Sequence, residues 1–252
     1  MTTTRSQGLG IDIGGTGIKG AVVDLNDGSL LTERFRIPTP ESSTPANVAD
    51  VVAQIVEQSG FSGEIGITVP SVIQRGVART AANIDGSWIG VDVAKIMSDR
   101  LGMPTEVMND ADAAGIAEVK FGTGMNVPGT VLMLTFGTGI GSALLVDGVL
   151  VPNTEFGHIE VDGKDGEHRA AGSVKDRKDL SYAEWADRVS RFLQVLEKGL
   201  WPDLIIVGGG ISKKAQKWVP LLENRTPVKV ATLLNNAGIV GAAYAARENL
   251  ST

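Results

Sequence analysis

Apolar and polar positions divide the chain into short apolar runs and longer amphipathic stretches. Runs of strand length fall at 8–13, 20–25, 64–69, 130–135, 142–146 and 203–207. Apolar residues spaced three and four apart predict helices at about 45–58, 92–101, 111–121, 181–199, 212–223 and 237–248. Strands followed by helices indicate an α/β class. Two helix starts carry chemical signals. Thr44-Pro45 sets an N-cap before a proline at the first helical position, and Ser181 with Glu184 makes a capping box. The stretch 164–179 is charged and has no clear period, so it reads as a mobile loop or a poorly amphipathic helix. No flexible linker interrupts the chain, and hinges are expected near Asn109 and near Asn235-Asn236.

One pattern occurs twice. Ile13-Gly14-Gly15-Thr16-Gly17-Ile18-Lys19-Gly20-Ala21 is echoed by Thr135-Phe136-Gly137-Thr138-Gly139-Ile140-Gly141-Ser142-Ala143. Each copy runs on into an apolar stretch and then an Asp-Gly pair, Asp27-Gly28 and Asp147-Gly148. Each therefore reads as a strand-turn-strand hairpin followed by a second turn. The repetition predicts a duplicated fold with two Gly-rich turns facing one cleft. Such turns expose backbone N–H groups, and without a Cβ in the way a phosphate can come close. Asp12 ends the first strand-like run, where a carboxylate can hold Mg²⁺ directly or through water. Lys19 can present a compact cation to phosphate. The plainer alternative is a duplicated structural hairpin with solvated charges.

Composition narrows the picture. With 252 residues the chain suffices for one large domain or two smaller ones. The 5% aromatic content argues against a nucleic-acid surface built on stacking, and the net charge of −6 against a general polyanion-binding surface, while leaving room for a local basic groove. There is no cysteine, which removes disulfides, thiol catalysis and Cys-based zinc sites. No apolar run approaches the roughly 20 residues that span a bilayer, and residues 1–7 lack the apolar core of a signal peptide, so a cytoplasmic protein is expected.

Three further segments could carry chemistry. In Asn109-Asp110-Ala111-Asp112 an apolar run ends where a helix of small residues begins. A carboxylate at such a corner either acts on a substrate or caps the helix. Asn153-Thr154-Glu155-Phe156-Gly157-His158 sets several polar arms beside a glycine, suited to sugar hydroxyls, with the histidine a base or metal ligand in principle. A site of several histidines is not expected, because only His158 and His168 are present. Leu204 to Val207 is an apolar run that enters Gly208-Gly209-Gly210 and then a helix start, a geometry that can receive a phosphate or nucleotide.

With these residues in hand, the chain resembles the ROK (repressor, open reading frame, kinase) sugar kinases. Within them it is similar to the actinobacterial polyphosphate glucokinases. The resemblance runs from about Gly8 to Ala246. Its most specific stretches are 10–20, Thr80 to Trp88, Asn109 to Ala114, Leu134 to Ser142, Pro152 to His158, Gly208 to Ser212 and Trp218-Val219-Pro220. It implies an actin-like ATPase domain fold, with two ribonuclease-H-like lobes around a central cleft. The small lobe would hold 1–109, with a C-terminal helix at 237–252 crossing back to it, and the large lobe 110–236.

The resemblance also implies a reaction: phosphoryl transfer from inorganic polyphosphate, and from ATP, to the 6-hydroxyl of glucose. Mannose is a second expected acceptor, and an ATP-only hexokinase is the alternative. By position, Asp110 would be the general base. Ser71, Asn83, Asp85, Asn109, Glu155, His158 and Glu167 would hold the sugar. Asp12, Gly14, Gly15, Thr16, Gly17 and Lys19 would form the first phosphate motif and Thr135, Gly137, Thr138 and Gly139 the second. Gly208, Gly209 and Gly210 would lie at the adenosine side, and Asp12 would carry Mg²⁺. Most of the family follows Glu-x-Gly-His with a Cys-rich zinc motif, whereas 161–170 here has no cysteine, so no zinc is expected and His158 is freed for the sugar. Candidates for a polyphosphate track are Lys19, Arg75, Arg79, Lys164, Arg169, Lys175, Lys213 and Lys214. Repressors of the family carry an added helix-turn-helix domain, for which no segment is left here, so neither nucleic acid nor membrane is an expected partner. A homodimer is expected.

Overall fold

The computed structural model describes residues 6–81 and 84–250. Contacts divide the chain into two units, one of 1–117 with 236–252 and the other of 118–235. Each is built on its own five-stranded sheet.

In the first unit, β1 (Gln7–Gly14) and β2 (Gly17–Asp24) form the first Gly-rich hairpin, and β3 (Phe35–Ile37) extends it at the edge. Helix α1 (Pro45–Ser59) starts as its residues dictate. Thr44 Oγ1 accepts from the Asn47 N–H at 3.4 Å, Pro45 takes the first helical position, and Gly60, at φ +63°, ends the helix in the left-handed region. Strand β4 (Ile65–Val69) follows, then the small hairpin β5 (Ile73–Gln74) and β6 (Val77–Ala78), α2 (Val93–Leu101), β7 (Thr105–Asn109) and α3 (Asp110–Phe121). The sheet order is β3-β2-β1-β4-β7, with β1, β4 and β7 parallel. Strand β4 is buried at every position, as expected of a parallel strand covered on both faces. Val48, Val52 and Ile55 of α1 join Ile11, Ile65, Ile67 and Trp88 in the core.

The second unit repeats the plan. Strands β8 (Thr130–Phe136) and β9 (Ile140–Val146) make the second Gly-rich hairpin, and β10 (Val149–Val151) extends it. Asp147 and Gly148 turn the chain between β9 and β10 with φ of +48° and +81°, the paired left-handed geometry for which Asp-Gly is suited. The chain goes on through β11 (Glu160–Val161), β12 (Lys164–Asp165), α4 (Gly166–Ala170), α5 (Gly172–Arg177), α6 (Tyr182–Leu200), β13 (Leu204–Gly208) and β14 (Val228–Val230). The order β10-β9-β8-β13-β14, with β13 parallel to β8 and β14, matches the first sheet strand for strand. The duplication expected from the repeated turns is therefore present in the topology. Both bonds of the Ser181–Glu184 capping box are formed. Phe136, Trp185, Phe192 and Trp218 form an aromatic knot of edge-on pairs with centroids 4.8–6.5 Å apart.

The last helix, α7 (Ala237–Leu250), packs on β1, β4 and β7 of the first unit. It lies at backbone contact. A Cβ at Gly10 or Gly66 would strike the carbonyls of Ile239 and Ala242, and one at Gly241 that of Ala113.

Two expectations fail locally. The stretch 164–179 is neither a loop nor one helix: it holds β12, α4 and α5, and buried Gly166, Ala170 and Val174 supply the missing periodicity. The helix expected at 212–223 is a 3-10 segment, Gly210–Lys217, that breaks at Lys214, followed by a single 3-10 turn at Val219–Leu221. Trp218 is drawn fully into the aromatic core, and Pro220 cannot donate to a continuing helix. Among the described residues no helix is long and apolar enough to cross a membrane.

Candidate active site

In the first unit the candidate residues gather at the carboxyl ends of the parallel strands, where α/β folds place ligands. Asp12 pairs across β1 and β2 with Lys19, and across β1 and β4 with Thr68. Its carboxylate is oriented by both neighbours: Thr68 Oγ1 donates to Oδ1 at 2.9 Å, and Lys19 Nζ lies 3.5 Å from Oδ2. Gly238, at the start of α7, is close enough that a Cβ there would sit 3.6 Å from Asp12 Oδ1. The first turn is a tight two-residue loop, with Gly14 paired to Gly17 and Gly15 and Thr16 exposed at the tip. Thr39 Oγ1 braces it by donating to the Gly14 carbonyl at 2.5 Å.

The strand β7 delivers Asn109 to the same edge, opposite Val69 of β4. Its side chain does two jobs. Nδ2 donates to the Ser71 carbonyl at 3.1 Å, and Oδ1 accepts from the N–H groups of Ala111 and Asp112 at 2.8 and 3.2 Å. Asn109 thus caps α3, where the sequence suggested Asp110 or Asp112, and Asp110 Oδ1 shares the role by accepting from the Ala111 N–H at 2.9 Å. Asp112 is buried, whereas Asp110 is exposed at the helix start, where negative charge is favoured by the aligned peptide dipoles. Ser71 is buried, its hydroxyl donating to the Thr80 carbonyl at 2.7 Å, so it meets Asn109 through its backbone. Asp85 caps the 3-10 turn Gly86–Trp88. The hydrogen bonds from Ser87, side chain and backbone, hold its carboxyl below the usual carboxylate range. Asn83 lies outside the described residues.

In the second unit the other two Gly-rich turns lie at one sheet edge, because Thr135 is in register with Gly208. They touch: Gly209, at φ +82°, sits where a Cβ would strike the Phe136 backbone. The second turn, Gly137-Thr138-Gly139, is fastened to α5, with Ser173 N–H donating to the Gly137 carbonyl at 3.0 Å and Ser173 Oγ to the Thr138 carbonyl at 2.6 Å.

Beside it, Glu155, His158 and Glu167 come together. His158 Nε2 is 3.9 Å from Glu155 Oε2, and Nδ1 is 4.0 Å from Glu167 Oε1. Burial pushes the Glu155 carboxyl above its ordinary range, His158 opposes this, and Glu167 adds to it. Glu167 also accepts from the Ile140 N–H at 3.3 Å, which ties this cluster to the second turn. Sequence reasoning missed Asp165, whose Oδ2 is 3.4 Å from His158 Nδ1. The antiparallel pairing of β11 with β12 brings it back, and the aperiodic sequence there carried no sign of that hairpin.

The sequence model of the ROK family matches residues 8–175. The chain belongs to the ROK family. It is 55% identical to the polyphosphate glucokinase of Mycobacterium tuberculosis (strain CDC 1551 / Oshkosh), over 96% of this chain and 92% of that one. The crystal structure of the inorganic polyphosphate/ATP-glucomannokinase from Arthrobacter sp. strain KM superposes with a TM-score of 0.91 at 49% identity, covering 96% of this chain and 98% of that one. A ROK family glucokinase from Streptomyces griseus, in complex with glucose and AMPPNP, gives 0.83 at 25% identity, covering 97% and 100%.

This ROK protein therefore has the actin-like ATPase fold, and the matched order of its two sheets is the ribonuclease-H-like duplication that this fold contains. The matched region includes the first two Gly-rich turns, the Asn109–Asp110 corner and the Glu155–His158 cluster. Arg36 was also missed by sequence reasoning. It pairs with Lys19 across β2 and β3, and a Cβ at Gly17 would lie 3.2 Å from its Nε, so two cations flank the first turn. The strand that carries Arg36 has only three residues, too short for its apolar pattern to announce it.

Proposed function

We propose that this ROK protein transfers a phosphoryl group from inorganic polyphosphate, and from ATP, to the 6-hydroxyl of glucose, with Asp110 as the base. The observation that carries the reading is the Asn109–Asp110 corner. Asn109 fixes the start of α3, and the adjoining Asp110 carboxylate, which accepts from the Ala111 N–H, is exposed there. The relatives named polyphosphate glucokinase and polyphosphate/ATP-glucomannokinase support the donors and the acceptor, and the latter supports mannose as a second acceptor.

Phosphoryl transfer needs positioning and charge neutralisation more than covalent help. Backbone N–H groups of the first two Gly-rich turns would hold donor phosphates, with Lys19 at the first. The turn at Gly208 to Gly210 would serve the nucleotide when ATP is the donor. Glu155, His158 and Glu167 would accept and donate hydrogen bonds to sugar hydroxyls, helped by Asn109, Ser71, Asn83 and Asp85. Asp110 would orient the 6-hydroxyl and take its proton as transfer proceeds.

The donor set at Asp12 suits Mg²⁺: one hard carboxylate, already oriented by Thr68 and Lys19, beside a turn at which the bound donor would supply phosphate oxygens as further ligands. Bound there, Mg²⁺ would neutralise charge on the donor phosphates. A cytoplasmic homodimer completes the reading. The test is glucose 6-phosphate formation by the purified protein with polyphosphate and ATP in parallel. Formation from both is expected, whereas turnover of ATP alone would reduce the protein to an ordinary hexokinase.

A further inference from the structure

We infer that Lys175 and Lys217, held over the ring of Tyr182, form an outlying anion site for polyphosphate, leading away from the second and third Gly-rich turns. The inference rests on the donor reading above and concerns only the second unit.

Lys175 Nζ lies 4.5 Å from the Tyr182 ring centroid and Lys217 Nζ 5.5 Å. The two cations can thus be no more than about 10 Å apart, a Debye length at ordinary salt, so each feels the other. An electron-rich ring face attracts each of them, and bringing both to one ring concentrates positive charge where an anion would be bound. Lys175 has a weak link to Asp176, at 3.8 Å, while Lys217 has no carboxylate within 4.0 Å among the described residues. Lys217 is exposed, and so are Lys213 and Lys214 on the same segment.

The placement relative to the turns gives the cluster a direction. Lys175 stands two residues after Ser173, which is fastened to the carbonyls of Gly137 and Thr138. Lys217 closes the 3-10 segment that opens at Gly210, directly after the third turn. The starts of these two elements are neighbours: a Cβ at Gly172 would lie 3.7 Å from that of Ile211. A donor phosphate at the turns and a cation pair farther along these two elements describe a path for a linear polyanion. ATP ends at its nucleoside and does not need such a path. The sequence alone suggested Lys175 among many basic residues but could not pair it with Lys217.

The test compares wild type, Lys217→Ala and Lys175→Ala/Lys217→Ala with glucose and three donors: long-chain polyphosphate, tripolyphosphate and ATP. The expected result is a KM for long-chain polyphosphate raised about tenfold in the double variant and severalfold in Lys217→Ala. KM for tripolyphosphate and ATP should stay near wild type. The dependence of log KM on log salt should also flatten by about 1.4 in the double variant, as two phosphate contacts on a flexible chain predict. Equal loss with all three donors, or no loss with any, would overturn the site. Equilibrium binding of long-chain polyphosphate to wild type and double variant separates this from the parent reading. If wild type binds the chain more tightly than the variant yet does not phosphorylate glucose with it, the site stands and the donor assignment falls. If both bind equally, the site falls.

Discussion

The first two Gly-rich turns begin from nearly the same residues and end in different surroundings. Gly14 to Gly17 is a two-residue loop flanked by two cations, Lys19 and Arg36, with Asp12 beneath it. Gly137 to Gly139 is a three-residue loop, seated on the aromatic knot through Phe136 and crowded by a carboxylate, since a Cβ at Gly139 would strike Glu167. A duplicated backbone thus supports two electrostatic settings. The first turn is built to attract negative charge. The second is built to be rigid, and it carries one wall of the Glu155–His158–Glu167 cluster. Equivalent glycines therefore do not imply equivalent work, and substitutions should separate the two.

The largest effect is expected where neither turn can compensate. Asp110→Asn keeps the size of the side chain and its exposed position but removes the base. The variant should lose about 10³–10⁴-fold in kcat with glucose, while glucose binding measured by calorimetry changes little. A kcat within tenfold of wild type would exclude Asp110 as the base and leave both turns without a reaction to serve.

Next in size is a change that tests how tightly the third turn is packed against the second. Gly209→Ala forces a side chain into a left-handed backbone and into the Phe136 main chain, so unfolding free energy should fall by about 3 kcal/mol or more. Gly137→Ala meets nothing within 4 Å and should leave stability within about 0.5 kcal/mol. Chemical denaturation of the pair checks this, and equal losses would mean that the turn is not braced as described.

How far these differences were legible depends on their range in sequence. The hairpins, the Ser181 capping box and the Thr44-Pro45 start are local patterns, and the structure carries each of them. Asp12 and Lys19 share one hairpin, so their pairing was within reach of the sequence. Thr68, which fixes the other oxygen of Asp12, comes from a strand 56 residues away and was not. The same holds for Ser71 and Asn109, 38 residues apart. The edge strands β3, β10 and β14 have three residues each, too few for a period to show. The expected helix at 212–223 gave way to Trp218, whose burial outweighs a helical pattern among exposed lysines.

A smaller effect sharpens the electrostatic contrast. Lys19→Ala should raise KM for either donor about tenfold, the usual worth of a charge-assisted hydrogen bond. Glu167→Gln should act in the opposite sense on the donor and lower its KM a fewfold, because it removes negative charge beside the second turn, while raising KM for glucose. Initial-rate measurements with each substrate varied would show it. Movement of donor KM in the same direction in both variants would erase the distinction between the turns.

The smallest effect concerns Glu155 and has a sign that pH reveals. Burial holds its folded-state pKa above the ordinary carboxylate value, so the folded protein binds this proton more tightly than the unfolded chain does. The stability linked to that proton is fully present below the unfolded pKa of about 4.3 and is lost as pH rises through the raised folded value. Glu155→Gln removes the charge that burial penalises. It should therefore raise Tm slightly at pH 7 to 8, with the gain fading as pH falls to 4. Glucose affinity should move the other way. As pH falls through the raised value, wild type loses the charged acceptor and its KM for glucose rises, while Glu155→Gln starts high and lacks that limb. A Tm difference that does not change between pH 8 and 4 would mean that Glu155 carries no buried charge at neutral pH. The polar cluster beside the second turn would then hold the sugar by shape and neutral hydrogen bonds alone.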